Sequence, residues 1–499
     1  MRKKLITLSL LLVLATTMLS TLFVGCSSIQ STRPDGENLA ANATFNYSKD
    51  KTSKDFKLTN KSSQVTVVLP EEKEINTIVL REKTSAVSAF EVWIPVVIKG
   101  ENGEPDKTEQ KLLYKQDEIN GLRFCYVDNV KVKEMTIRAY SIGKQKFTID
   151  KFELYNTQRP QKDFRITTYI PVNEFVDGKV DTEGLRHVTD VILFGQAIYS
   201  EKGDIALGNA ICDKDGKPTY DEKGLLITQG RETLDKAIAI IKATCGEKMP
   251  RLFVNFMPNN TIKNTSGLSN EKFFASVQKM AFKDNRANFI ANLSKCLDEL
   301  PIDGLSFDYE YPYTQDDYTT YGDFLIALKG AIPNKLISIA VAPWGIKYSK
   351  KAIAAVDMFE VMAYDLMDKR GNHSGWKLAC TDAIDYMTQK GFPREKLDLG
   401  VPFYSRPVDY GAFWGGWAGE YQNMSEFSNY IASEFVTKDY DGNTFLVKAR
   451  WYNGVNMIQD KTAFAYDSGL GGMMIWHYNC DLPYSHERSL LRAMNNIFD

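Results

Sequence analysis

Histidine and cysteine are scarce in this chain: four and seven of 499 residues. Neither is arranged for metal or redox chemistry. His187, His373, His477 and His486 form no HExxH-type pair, and no Ser–His–Asp set stands out. Beyond Cys26, the cysteines Cys125, Cys212, Cys245, Cys296, Cys380 and Cys480 lie far apart and make no CxxC. Most read as small buried hydrophobes. A metal hydrolase and a serine hydrolase are therefore disfavoured, and no cofactor is implied. A surplus of positive charge is also missing, because 61 Lys+Arg face 63 Asp+Glu. Nothing then drives sequence-independent binding to nucleic acid. What is present is core material: 43% hydrophobic, 12% aromatic and 25% charged residues exclude a disordered or collagen-like chain. The length suits one α/β barrel of ~250 residues plus a smaller domain.

The first segment with a function is the N-terminus. Arg2, Lys3 and Lys4 precede an apolar stretch from Leu5 to Val24, which ends in Gly25-Cys26-Ser27-Ser28. Residues 1–25 read as an export signal. The alternative is an uncleaved anchor, since about twenty mostly apolar residues span a bilayer. The run Leu22-Phe23-Val24-Gly25-Cys26 resembles a bacterial lipobox, with Phe23 where Leu is more usual. The resemblance implies lipidation at Cys26 and a lipoprotein held at the cell surface, on the outer face of a bacterial membrane. Residues 26–38 follow as a coil-like tether.

From Thr44 to Tyr155 the pattern is short and strand-like: Gln64–Leu69, Thr77–Leu80, Ala89–Ile98, Leu122–Val127, Glu134–Ala139 and Phe147–Leu154. No segment sustains a helical period, so residues 39–157 are expected to form an all-β sandwich. Asn38-Leu39-Ala40, the run Ile75–Glu82, Val132–Tyr140 and Phe152–Asn156 resemble, in order, discoidin-like (coagulation factor 5/8 type C) modules. That likeness implies a glycan-binding domain, with a spacer role as the alternative. Residues 158–162 read as a linker.

Beyond it, β-branched and aromatic runs alternate with helical stretches, the grammar of parallel strands joined by crossover helices. Eight strands are expected: Arg165–Pro171, Asp190–Ile198, Arg251–Met257, Gly304–Tyr311, Leu336–Ala342, Met358–Asp365, Leu397–Tyr404 and Gly472–His477. Helices are expected at Glu232–Thr244 and Asp317–Ala331, among others. Eight such repeats over residues 163–499 indicate an α/β fold, a (β/α)8 TIM barrel, whose chemistry sits at the C-terminal ends of the strands.

The end of the fourth strand stands out. In Asp303-Gly304-Leu305-Ser306-Phe307-Asp308-Tyr309-Glu310-Tyr311-Pro312, positions two apart share a face. Ser306, Asp308 and Glu310 thus point into the barrel, while Leu305, Phe307 and Tyr309 point to the helices. Two inward carboxylates are costly unless paired, so they mark a site. Lying ~7 Å apart at Cα on one face, they cannot flank a sugar ring from opposite sides as ordinary glycosidase carboxylates do. If Glu310 is the proton donor, the attacking group can be the substrate's own 2-acetamido carbonyl, and Asp308 would then orient and stabilise the cyclic intermediate. The charge on Asp308 favours a protonated Glu310.

This stretch resembles the DGxDxDxEYP signature of glycoside hydrolase family 18, the chitinases and endo-β-N-acetylglucosaminidases. Val361-Met362-Ala363-Tyr364-Asp365, Leu399–Arg406 and Gly471–Trp476 resemble the family's sixth-, seventh- and eighth-strand motifs. The resemblance implies Glu310 as proton donor, Asp308 as orienting carboxylate, and Tyr364 and Asp365 as the clamp on the acetamido group. Trp476 would floor the reaction-centre subsite, with Tyr169 and Tyr404 as further substrate-binding residues. Among Trp344, Trp376, Trp414 and Trp417, two are expected to pave a cleft, with Trp344 and Trp414 preferred. Two positions depart from the family pattern. Ser306 stands where the family has an Asp that exchanges a proton with the next one, so its hydroxyl faces Asp308 without charge. Val254-Asn255-Phe256-Met257 lacks the usual Ser-x-Gly-Gly. The short interval from Arg406 to Gly471 points to a shallow, non-processive groove.

The leading expectation is a retaining endo-hydrolase of β-1,4 N-acetylglucosamine linkages in chitin. The alternatives are cleavage of the chitobiose core of N-glycans, and a chitinase-like lectin with little turnover.

Overall fold

The eight apolar runs after residue 163 form eight parallel strands in the computed structural model of the protein. These are β1 (Arg165–Pro171), β2 (Asp190–Phe194), β3 (Arg251–Pro258), β4 (Gly304–Phe307), β5 (Leu336–Val341), β6 (Met358–Val361), β7 (Leu397–Pro402) and β8 (Gly472–Trp476). Each pairs with its sequence neighbour, and β8 closes the barrel onto β1. The structure describes residues 34–498 except 49–50, 101–104, 216, 218, 223–225, 259–266, 268–269, 311, 368–371, 409–413, 432–434, 439–443 and 448. The signal and lipobox residues, Cys26 and Tyr311 lie outside the described residues.

Helices cover the barrel where the sequence repeats demand them, including α1 (Glu232–Cys245), α2 (Arg286–Glu299), α3 (Gln315–Ala331) and α4 (Val455–Asp467). The start of α3 is set by a capping box, in which the Thr314 side chain accepts from Asp317 N–H and the Asp317 carboxylate accepts from Thr314 N–H. Its buried face, with Tyr321, Phe324 and Leu325, meets Phe307 and Tyr309 of the fourth-strand motif. The outward half of that motif is therefore hydrophobic packing, which fixes its inward half.

Three expectations need revision. Asp190–Ile198 is two strands, broken at Gly195 with a φ of +84°, and Ala197–Tyr199 pairs with β3 and with Ile205–Leu207. Several strands end two to four residues early, because the functional residues at their tips leave the ladder. The interval after β7 is less bare than expected: Tyr404–Pro407, Gly415–Gly416, Tyr430–Ile431 and Arg450–Trp451 form a small sheet.

The N-terminal region is all-β and antiparallel, built on two long strands, Gln64–Glu82 and Leu122–Ser141. The sequence pattern splits each in two because polar residues such as Pro70-Glu71-Glu72 interrupt the alternation. In the structure those residues are exposed, and the pairing register shifts between Val68 and Lys73. Arg33–Asp499 forms one compact unit, and the 158–162 segment is pinned rather than free. Arg159 is fully buried and donates to both oxygens of Asp467 at 2.9 and 2.8 Å. Val79, Phe124 and Tyr155 of the all-β domain join the core of the barrel.

Candidate active site

At the open end of β4 the inward side chains appear in the expected order. Ser306 is fully buried, Asp308 half-buried and Glu310 exposed, so the row climbs from the barrel interior to its mouth. Asp308 and Glu310 share a hydrogen bond. Burial first, and then the charge of Glu310 and that bond, hold Asp308 well above the usual carboxylate range. The Oδ1 atom of Asp308 is buried without a hydrogen-bond partner.

Tyr364, just past the end of β6, is buried. Burial, then the charges of Asp308, Glu310, Asp365 and Glu360, raise its phenol well above its ordinary value. Gly400 on β7 leaves room for it: a Cβ there would meet Val361 O at 2.3 Å and the Tyr364 ring at 3.1 Å. Asp365 has a left-handed φ of +57°, tolerable for a short polar side chain. Its Oδ1 accepts from Tyr404 Oη at 2.6 Å and from Arg406 Nε at 2.7 Å, and its backbone N–H donates to His373 Nε2 at 2.8 Å. Burial pulls the Asp365 carboxyl up, but His373, Arg406 and Tyr404 outweigh it and hold it far below the usual range.

The aromatic candidates separate by burial. Trp476 is half-buried, its ring 5.3 Å from Tyr169 and 5.4 Å from Phe194. Trp414 is half-buried, stacked on Tyr404 at 5.0 Å and 11°, with the Arg406 guanidinium 3.6 Å from its ring. Trp344 is half-buried and lies 5.1 Å from Tyr386. Trp376 and Trp417 pave nothing. Trp376 has no exposure and donates its Nε1–H to Leu122 O at 2.7 Å, and Trp417 donates to Arg488 O at 2.8 Å.

Tyr169 and Ser306, expected to touch substrate, lie beneath the site. Tyr169 is 2% exposed and its hydroxyl sits 3.4 Å from Ser306 Oγ, which also accepts from Asn255 Nδ2 at 3.2 Å. Ladder register explains the contact, because Asn255, Ser306 and Ser338 align across β3, β4 and β5. Sequence reasoning missed Asn255, Arg406, His373 and Glu360. The last is fully buried on β6 and accepts hydrogen bonds from Tyr169 and Ser338. Its signal was a lone charge inside the apolar run Met358–Val361. Below it, Arg165 and Asp398 pair at 2.6 Å.

Among the described residues no group of three or more His, Cys, Asp or Glu side chains is arranged to hold a metal. The arrangement places an exposed carboxyl at the mouth, a second carboxyl behind it, half-buried aromatic rings and a buried phenol. A closed barrel with this row of acids at its strand ends is that of a glycoside hydrolase. Residues 261–481 match the family model of glycosyl hydrolases family 18.

The chain is 24% identical over 257 residues to Probable chitinase 2 of Drosophila melanogaster, a match covering 39% of this chain and 51% of that protein. It is 28% identical over 160 residues to an endochitinase of Manduca sexta, covering 26% and 28% respectively. The match thus spans about half of the former relative's length and less of the latter's. A solved family 18 chitinase from the chitin utilization locus of Flavobacterium johnsoniae superposes with a TM-score of 0.46 at 19% identity, covering 68% of this chain and 94% of that one. A class V chitinase of Nicotiana tobaccum solved with NAG4 gives 0.46 at 15%, covering 66% and 98%.

Proposed function

We propose that the protein is a retaining endo-glycosidase that hydrolyses β-1,4 linkages of N-acetylglucosamine in chitin-like chains, by substrate-assisted catalysis. The observation that carries this reading is the Asp308–Glu310 pair, two carboxyls joined by a hydrogen bond just past the end of β4. The other carboxylates nearby are engaged elsewhere, Asp365 with Arg406 and Tyr404, and Glu360 with Tyr169 and Ser338. That leaves the sugar's acetamido oxygen as the nucleophile.

Glu310 protonates the glycosidic oxygen as the acetamido carbonyl closes onto the anomeric carbon. Asp308 bears against the acetamido N–H and stabilises the positive charge that develops, and Tyr364 hydrogen-bonds the group from the other side. Water then opens the ring with Glu310 as base, and the configuration is retained. Trp476 floors the reacting sugar, and Trp344 offers a face and Trp414 an edge to its neighbours. On the same reading the all-β domain is a discoidin-type glycan-binding module, and lipidated Cys26 anchors the protein at the cell surface.

The test is product release from N-acetylglucosamine oligomers and from a high-mannose glycoprotein by wild type and Glu310→Gln. Cleavage of the oligomers by wild type and a loss of at least 100-fold in the variant support the reading. Cleavage of the glycoprotein alone redirects it to the N-glycan core, and binding without cleavage of either makes the protein a lectin.

A further inference from the structure

One buried acid beneath the site makes no contact with Asp308 or Glu310 through its own hydrogen bonds. Glu360 sits on β6 inside the barrel with no solvent exposure, where an unpaired carboxylate costs several kcal/mol. Its two oxygens accept from Ser338 and Tyr169. The Tyr169 hydroxyl in turn lies 3.4 Å from Ser306 Oγ, two residues before Asp308, whose charge acts on both Tyr169 and Glu360. A chain of hydroxyls therefore runs from Glu360 toward Asp308, whose buried Oδ1 has no hydrogen-bond partner.

We propose that Glu360 is the proton partner of Asp308, linked to it through Tyr169 and Ser306, and that it supplies the carboxyl that position 306 lacks. The inference rests on the substrate-assisted reading above. As the acetamido ring closes, Asp308 must turn anionic beside a cation, so its proton needs a destination away from the substrate. The proton passes from Asp308 to Ser306 Oγ, the Ser306 proton to the Tyr169 oxygen, and the Tyr169 proton to Glu360. One O–H bond breaks at Asp308 and one forms at Glu360, each hydroxyl gives and takes one proton, and nothing is oxidised or reduced. Ring opening runs the chain backwards.

Matched proton affinities make such a transfer cheap. Burial pushes Glu360 up to about 8, against the hydrogen bonds of Ser338 and Tyr169, and burial likewise holds Asp308 high. The groups facing Glu360 are Tyr169 and the cation Arg165 from β1, Asp308 from β4, Ser338 from β5, Tyr364 beyond β6, and Asp398 from β7. Arg165 is tied to Asp398, so neither is free to replace Glu360.

The test compares wild type, Glu360→Gln, Tyr169→Phe, the double variant of these two, and Glu360→Gln combined with Ser306→Asp. Each is checked for folding by its thermal transition and assayed on N-acetylglucosamine oligomers across pH. Glu360→Gln is expected to lower kcat at least tenfold with KM within about twofold, and to move the pH–rate profile. Tyr169→Phe should do the same, and the double variant should be no worse than either single one. Adding Ser306→Asp to Glu360→Gln should recover most of the lost kcat. An unchanged kcat and pH profile in Glu360→Gln overturns the proposal, as do multiplicative losses in the double variant or no recovery with Ser306→Asp. Should Glu360→Gln fail to fold, Tyr169→Phe alone decides by its kcat and pH profile. Wild type that is active and silenced by Glu310→Gln keeps the parent reading whatever Glu360 does. A wild type with no cleavage removes both.

Discussion

Arg123 of the all-β domain and Asp460 of α4 in the barrel meet at 2.5 Å, Nη2 to Oδ2, with both side chains fully buried. The same carboxylate accepts from Tyr114 and from the Tyr126 N–H at 2.7 Å, and the Arg123 guanidinium lies 4.4 Å from the Trp376 ring. Removing one partner leaves the other charge buried and unpaired, typically ~3–5 kcal/mol. Asp460→Asn should therefore lower stability by about that much and pull down the whole chain in one transition, as read by urea unfolding with far-UV and tryptophan signals. Two separated transitions, with the later one at the wild-type midpoint, contradict this.

Burial assigns different tasks to two tryptophans. Trp376→Ala empties a fully buried site and should cost ~3–5 kcal/mol, with KM of the folded fraction unchanged. Trp414→Ala removes a half-buried ring and should leave the thermal transition within a few degrees while raising KM for long oligomers several-fold. Calorimetry and initial-rate kinetics on both variants check the contrast.

Glu360 also shapes stability. Its folded value of about 8 lies above the ordinary glutamate value of 4.5, so between those two pH values the native state keeps a proton that the unfolded chain has lost. Stability from this group is then complete below about pH 4 and drains as pH rises toward 8, by roughly 1 kcal/mol per pH unit. Glu360→Gln should flatten that slope in urea titrations at pH 5, 6, 7 and 8, and an unchanged slope contradicts the assignment.

Activity should fall on the alkaline side for a related reason. The Asp308–Glu310 pair holds its proton above the usual carboxylate range, and the acid form is lost as pH rises through that raised value. Asp308→Asn removes the raised carboxyl coupled to Glu310, so its residual kcat/KM should decline at lower pH than wild type, by about one unit or more, besides falling overall.

Much of the fold is written in local pattern. All eight barrel strands follow from apolar runs, and the inward face of β4 follows from the alternation of Ser306, Asp308 and Glu310 with Leu305, Phe307 and Tyr309. Partnerships across the barrel are not local. Glu360 reads as a single charge in an apolar strand, and its meaning comes from Tyr169 and Ser338 on other strands. Trp376 follows a strand end in sequence just as Trp344 does, yet Leu122 and Arg123, some 250 residues earlier, bury it. The long strands of the all-β domain were cut in two because exposed polar residues mid-strand look like turns.

The most direct measurement compares cleavage rates on fully N-acetylated oligomers and on the same oligomers with the acetyl group of the reacting sugar removed. An acetamido nucleophile predicts at least a thousandfold slower turnover without it, on the scale that well-oriented intramolecular reactions reach. Equal rates on the two substrates would mean that the attacking group comes from the protein or from water, and the account of Asp308 and Glu310 given above would be wrong.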